Sequence, residues 1–340
     1  MKKILKIAPA SIHTFSHNIV LLTILETSSL TEPWILSHYT NLFFTRKGNT
    51  GDFFSAYDGD WQYFEHKTCP WIRYLRYDRN LLRDHCDIIN LCKSMINNDT
   101  YVYVCVDEYY ISNYTSGNGK SHFLHPVFIY GYDDEEQMFY VADHFSNGVF
   151  SSQKIRISEF QTAYNSEFQE QDFLEGIVGM QLRKSSACFH IQNVPEMFEL
   201  NISKIIEDIK SYLCINSIYK TNDHYYVGIQ YYNALMSVIH DKKAGNEYEI
   251  NVRMFCTLLD HKIMMKRRIE YMLNHAYIAS NHVDMLNIFK SIEQNTLLLL
   301  RLVVKYGINP SHNLLDRMEK LITSICDVET KTLMQLLKLF

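Results

Sequence analysis

YVYVCVDEYYISNYTSGNGKSHFLHPVFIYGYDDEEQMFYVADHF, residues 101–145, is the segment around which the chain is organised. Tyr101–Asp107 alternates, with Val102, Val104 and Val106 on one face of a strand. His125–Tyr132 and Met138–Asp143 are two more short β-rich runs, joined through the polar turn Asp133-Asp134-Glu135-Glu136. A hairpin of this kind sets His125 at the start of one strand and Asp143 at the end of its partner. In an antiparallel pair those ends lie side by side, so imidazole and carboxylate can meet as a general base and the acid that orients it.

Toward the N-terminus, Lys3–Ala8 reads as a strand closed by Pro9, and Ser16 stands as the N-cap of a helix over His17–Thr27. Isoleucine, valine and leucine surround that helix on all sides, which marks it as buried. Asn41–Thr45 and Asp60–Phe64 alternate like strands within an aromatic-, glycine- and aspartate-rich segment that includes Tyr57-Asp58-Gly59-Asp60. Asn80–Asn97 has helical spacing, Gly148–Ile157 and Gly176–Leu182 are strand-like, and Ser158–Asn165 is a short helix capped by Ser158. The first part is therefore α+β, a buried helix on a mainly antiparallel sheet. Composition shifts over residues 185–200, around Pro195, and the remainder of the chain reads as helical. Ile202, Ile205, Ile206, Ile209 and Leu213 fall at i, i+3, i+4, i+7 and i+11, and further helices are expected at about 225–240, 249–279, 282–306 and 312–338. The expected organisation is a domain over residues 1–185 and an all-α domain over residues 196–340.

Composition narrows the function. Of 340 residues, 47% are hydrophobic, enough for a real core in each part. A formal charge of -5 argues against a nucleic-acid binder, which carries a basic face. The one dense basic run, Lys262–Arg268 (KIMMKRR), reads as a solvated helix face. Eight scattered cysteines without a CxxC pair read as reduced thiols, with Cys105, Cys214 and Cys256 in apolar runs, and point to the cytoplasm. Lys6, Pro9, His13 and His17 interrupt any signal-peptide core, and no run of about eighteen apolar residues exists to span a membrane.

The string HPVFIYGYDDEEQMFYVADHF resembles the His-strand-turn-strand-Asp segment of papain-like (C39 peptidase-like) proteins, and most of all the butirosin biosynthesis protein H-like family. Val106-Asp107-Glu108-Tyr109-Tyr110, the polar loop and His122-x-x-His125 resemble that family's approach to its histidine. His17-Asn18 with the apolar helix and Leu30-Thr31-Glu32-Pro33 resemble its first helix and the segment after it. The resemblance spans roughly residues 1–185. It implies a papain-like cysteine-protease fold and a place in antibiotic-type natural-product biosynthesis. The implied activity moves an acyl or aminoacyl group from an acyl or peptidyl carrier protein to a small-molecule amine, without a cofactor. The family's nucleophilic cysteine, at the start of the first helix, is replaced here by Asn18, or by Ile19 if the register slips by one. No cysteine precedes Cys69. An amide takes up no acyl group, so a non-catalytic domain that binds an acyl chain, peptide or carrier protein stands as the alternative.

On this reading His125 is the base, Asp143 orients it, and Asn18 supplies an amide donor for a substrate carbonyl. Ser16, His17, His122 and Tyr110 are expected to touch substrate. Ser16 also competes with its own capping role as a nucleophile. His122 and His125, spaced HxxH, lack further ligands with zinc-site spacing, so no metal is expected. Gly117-Asn118-Gly119-Lys120 lacks phosphate-loop spacing and reads as a flexible turn beside the site. Cys69 reads as a structural loop cysteine.

Overall fold

The structure, a computed structural model, describes every residue except 47, 55–68, 86, 147, 168–171, 173, 175, 184–197, 215–224 and 247–248. The strand expected at Asp60–Phe64, the Tyr57–Asp60 turn and the boundary at Pro195 lie outside the described residues. The strands are β1 (Lys2–Ile4), β2 (Asn41–Thr45), β3 (Thr50–Phe54), β4 (Ile72–Asp78), β5 (Tyr101–Asp107), β6 (Leu124–Asp133), β7 (Met138–Ser146), β8 (Val149–Arg156), β9 (Gly176–Leu182) and β10 (Tyr225–Val227). The first five helices are α1 (Ser16–Leu25), α2 (Glu32–Ser37), α3 (Arg79–His85), α4 (Ile88–Asn97) and α5 (Ile157–Tyr164). The rest are α6 (Ile202–Tyr212), α7 (Tyr231–Lys243), α8 (Val252–Asn274), α9 (Val283–Ile308) and α10 (His312–Leu337).

The fold is α+β, with two compact units that interleave along the chain. The first comprises Met1–Ala10, Ser16–Thr31 and Asp60–Val194; the second comprises Ser11–Phe15, Glu32–Gly59 and Pro195–Phe340. Residues 11–15 and 32–59, which a boundary at 185 assigns to the first domain, thus belong with the helical half.

The first unit is built on an antiparallel sheet in the order β4-β9-β5-β6-β7-β8, with β1 also pairing with β6. Every residue of β5 is buried, as the valine alternation backed by Tyr101, Tyr103 and Cys105 demands of a central strand. The β6–β7 hairpin turns where Asp133 Oδ1 accepts the amides of Glu135 and Glu136. Asn18–Leu25 of α1 are all buried, as a helix without charge requires. Ser16 is the first helical residue rather than the cap, and its hydroxyl bonds Tyr103 instead. The initial strand is shorter than Lys3–Ala8, because the Ala8 amide leaves the sheet to donate to Thr23 O of α1. The helix expected over Asn80–Asn97 is two, since Asp87 caps α4 by accepting the amides of Ile89 and Asn90. At α5 the cap position falls on Arg156, and Ser158 sits inside the first turn.

The second unit is not all-α: β10 pairs with β2, and β2 with β3, in a small antiparallel sheet. Tyr-Tyr-Val is too short to show a period of its own; Tyr225 stacks on Phe43, ring centroids 5.9 Å apart. Nor is the basic run a solvated face. Lys262 and Arg268 are both 0% exposed. Arg268 Nε donates to Leu36 O at 2.6 Å and Nη2 to His38 O at 2.5 Å, so its guanidinium serves carbonyls left over at the end of α2. Lys262 Nζ lies 2.6 Å from both carboxylate oxygens of Glu329, which also accepts the hydroxyls of Tyr212 (3.1 Å) and Tyr232 (2.7 Å). Cys214, expected in the core, is exposed at the end of α6, where its φ is 59°. Among the described residues no single helix is long and apolar enough to cross a membrane.

His261 completes the buried cluster and makes the second unit acid-sensitive. Its Nε2–H donates to Thr40 O at 2.7 Å, so Nδ1 accepts from Lys262 at 3.0 Å, with Glu329 Oε1 at 3.9 Å. Burial lowers the imidazole well below its ordinary value, and the charges of Lys262 and Arg268 add to the drop. Once pH falls below about 6.5 the unfolded chain takes up this proton and the folded one does not. Stability is then expected to fall by about 1.4 kcal/mol per pH unit from this residue. Unfolding free energies from pH 7.5 to 5.0 test this: His261→Gln should lose about one proton's worth of slope. Equal slopes in the two proteins would refute it.

Candidate functional site

The sheet places two histidines near one end of the β5–β6 ladder. Val106 stands opposite His125 and Asp107 opposite Leu124, and the Glu108 amide extends the ladder by donating to Phe123 O at 2.9 Å. Arg79, 5% exposed, fastens this end of β5 from behind. Its guanidinium donates to Asp172 (2.6 Å), Tyr164 O (2.8 Å) and Cys105 O (2.7 Å) while lying over the Tyr164 ring.

His125 and Asp143 meet as the hairpin reading expects: Nδ1 lies 2.7 Å from Oδ2. The same oxygen accepts the Tyr114 hydroxyl at 2.5 Å. Burial pushes the Asp143 carboxyl up, but hydrogen bonding and charge from His125, His144 and Tyr114 outweigh it and hold the group at about 2. His144 Nδ1 is 3.7 Å from Oδ1, longer than a direct hydrogen bond. An ionised, 1% exposed carboxylate fixes the ring with Nδ1 protonated, which puts the basic lone pair on Nε2.

Two groups that sequence reasoning missed stand beside this pair. Burial lifts the Glu108 carboxyl to about 7; Asp143 and Asp107 add to the rise and His125 opposes it. Glu108 packs against Gly117, where any Cβ would come within 2.7 Å of Oε2. Backbone hydrogen bonds close the turn around Gly117: Asn118 N donates to Tyr114 O and Gly119 N to Tyr109 O, both at 3.0 Å. Tyr114 is the second group, kept protonated by burial and the adjacent Asp143 charge. The acidic doublet Asp107-Glu108 at a strand end was a usable signal for the first; nothing local marks Tyr114.

Of the remaining expected residues, Ser16 belongs to this neighbourhood through Tyr103, whose hydroxyl feels the Asp143 charge. Asn18 is 2% exposed in the first turn of α1, and His17 beside it is half-buried. Cys69 is buried. His122 and Tyr110 group separately. His122 Nδ1 lies 2.7 Å from Oδ2 of Asp107, a second His–Asp pair, so the two HxxH imidazoles are held by different carboxylates. Asp107, 0% exposed, also accepts Ser166 Oγ (2.7 Å) and the amides of Tyr109 (3.1 Å) and Phe123 (3.2 Å). Burial works against its charge, yet these donors keep its carboxyl below the ordinary value. Among the described residues no group of three His, Cys, Asp or Glu has the arrangement of a metal site.

A protonated Nδ1, a basic Nε2 and a buried counter-charge are the parts of a general base, and Glu108 adds a carboxyl poised near neutrality. Compared with known proteins, the chain matches no family model, and no curated protein matches it either.

Proposed function

We propose that this chain is a papain-like acyltransferase in which a base pair works without a cysteine. The reading also gives it a setting, the cytoplasmic biosynthesis of a peptide- or polyketide-type antibiotic. It transfers an acyl or aminoacyl group from a carrier-protein thioester to an amine. The His125–Asp143 pair, 2.7 Å apart with its tautomer fixed, carries this reading. The amine nitrogen attacks the thioester carbonyl, and His125 Nε2 takes the proton that the nitrogen sheds. The tetrahedral intermediate collapses by breaking its C–S bond, and the imidazolium returns the proton to the leaving thiolate. Asp143 keeps its charge throughout and balances the imidazolium. Holding donor and acceptor together supplies the rest of the rate, because no covalent intermediate forms. By the resemblance, Asn18, or Ile19 if the register slips by one, stands where papain-like proteins carry the thiol.

Incubating the protein with an acyl-loaded carrier protein and an amine should give amide product, detected by mass spectrometry. His125→Ala should lower that rate by about 10²–10⁴-fold. The burial of Asn18 favours one other reading, a domain that binds a carrier or acyl chain without turning it over. Tight carrier binding with no amide formed, unchanged in His125→Ala, would establish that reading in place of the first.

A further inference from the structure

A cleft of about 680 Å³ opens between α5 and the turn carrying Tyr110, and His122 lines it; neither His125 nor Asp143 does. This volume suits a small molecule. One wall is a single stripe of α5 and its C-cap: Ser158, Gln161 and Thr162 of the helix and the cap residue Asn165, spaced i, i+3, i+4, i+7. The opposite side of that helix, Ile157, Phe160, Ala163 and Tyr164, is buried, so the stripe faces outward by construction. Four consecutive outward positions carry hydroxyls and amides and no charge. That is unusual for a helix surface, where lysine and glutamate are the ordinary occupants.

His122 is fixed for contact. Asp107 engages Nδ1, and the ring stacks on Tyr109 with centroids 4.2 Å apart and an interplanar angle of 18°. In a neutral ring with its proton on Nδ1, Nε2 is an acceptor. Among the described residues no lysine or arginine lines the cleft, and the charged group there is the carboxylate of Glu167. Phosphates and carboxylates therefore find no counter-charge among them. Side-chain amides and hydroxyls offer donor and acceptor together, which matches neighbouring hydroxyls that also do both. The Tyr110 ring adds an apolar surface for the C–H face of a ring.

We propose that this cleft is a second binding site, selective for a neutral polyhydroxylated small molecule, a sugar or cyclic polyol. His122 Nε2 accepts one hydroxyl, and Gln161 and Asn165 bracket others. The site stands independently of acyl transfer, since it shares no lining residue with the His125–Asp143 pair.

The test uses the full chain with D-glucose, D-galactose and myo-inositol as probes, followed by saturation-transfer NMR and titration calorimetry. At least one should bind with a Kd below about 10 mM. The double variant Gln161→Ala/Asn165→Ala, on an exposed face, should bind roughly tenfold more weakly at an unchanged thermal midpoint, the scale of one or two lost hydrogen bonds. His122→Ala should do the same, and His125→Ala should leave binding unaltered. The proposal fails if no polyol binds, if the α5 double variant binds as well as the parent, or if His125→Ala abolishes binding. It fails equally if only inorganic phosphate or a short peptide is retained.

Discussion

Asp143→Asn is expected to lower amide formation by about 10³–10⁴-fold, more than any other single change at the base pair that leaves the imidazole in place. The oxygen that His125 faces at 2.7 Å also receives the Tyr114 hydroxyl, so in the native protein one anionic atom holds two donors. An asparagine offers one oxygen and one NH₂ group. If the NH₂ group takes the place of that shared oxygen, it faces Nδ1 and forces the other tautomer, with a proton on Nε2 where the lone pair is needed. If the oxygen faces His125 instead, the tautomer survives but the imidazolium formed during reaction loses its counter-charge. Both outcomes act after substrate is bound, so kcat should fall with KM nearly unchanged. Proton NMR provides a readout independent of turnover. A low-field imidazole Nδ1–H resonance in the parent should move upfield in the variant. A variant that keeps more than a tenth of parental kcat, with that resonance in place, would remove Asp143 from the mechanism.

The largest loss of stability is expected from Lys262→Met, about 3–5 kcal/mol. Lys262 and Glu329 are each 0% exposed, and the ammonium sits between the two carboxylate oxygens. Burial lowers the Lys262 ammonium below its ordinary value, and the Glu329 charge pulls it back. A methionine leaves Glu329 with only two phenol donors for a charge sealed from water. Adding Glu329→Leu removes that charge, yet Tyr212, Tyr232 and His261 Nδ1 then lose partners at about 1–3 kcal/mol each. The double variant should therefore recover only part of the loss. Chemical unfolding monitored by circular dichroism measures both. A Lys262→Met loss below about 1 kcal/mol would mean that water or another cation already serves Glu329.

These two sites differ in how far the sequence disclosed them. The His125–Asp143 pair lies within one hairpin, eighteen residues apart, so strand alternation plus a polar turn brings its two strands together. A one-residue register shift between Ile129 and Gly131 is what sets both side chains on one face. β2, β5 and β9 match the strands expected from alternation residue for residue. The Lys262–Glu329 pair joins segments 67 residues apart, and Arg268 reaches carbonyls more than 200 residues away. Helical periodicity marks which positions are apolar; it does not say whether a charged residue between them will find a partner. A basic run that reads as solvated from its spacing is therefore free to be buried in the fold.

The local periods belong to the sequence alone: the strands, the helices, and through one short turn the pairing of the two strands that carry His125 and Asp143. The packing of distant segments is settled in three dimensions, where residues 11–15 and 32–59 join the helical half and Asp107 reaches His122. So is the choice of which charges are buried. The reason is physical: alternation and helical spacing are properties of neighbours in the chain, whereas desolvating a charge depends on whatever the fold brings against it.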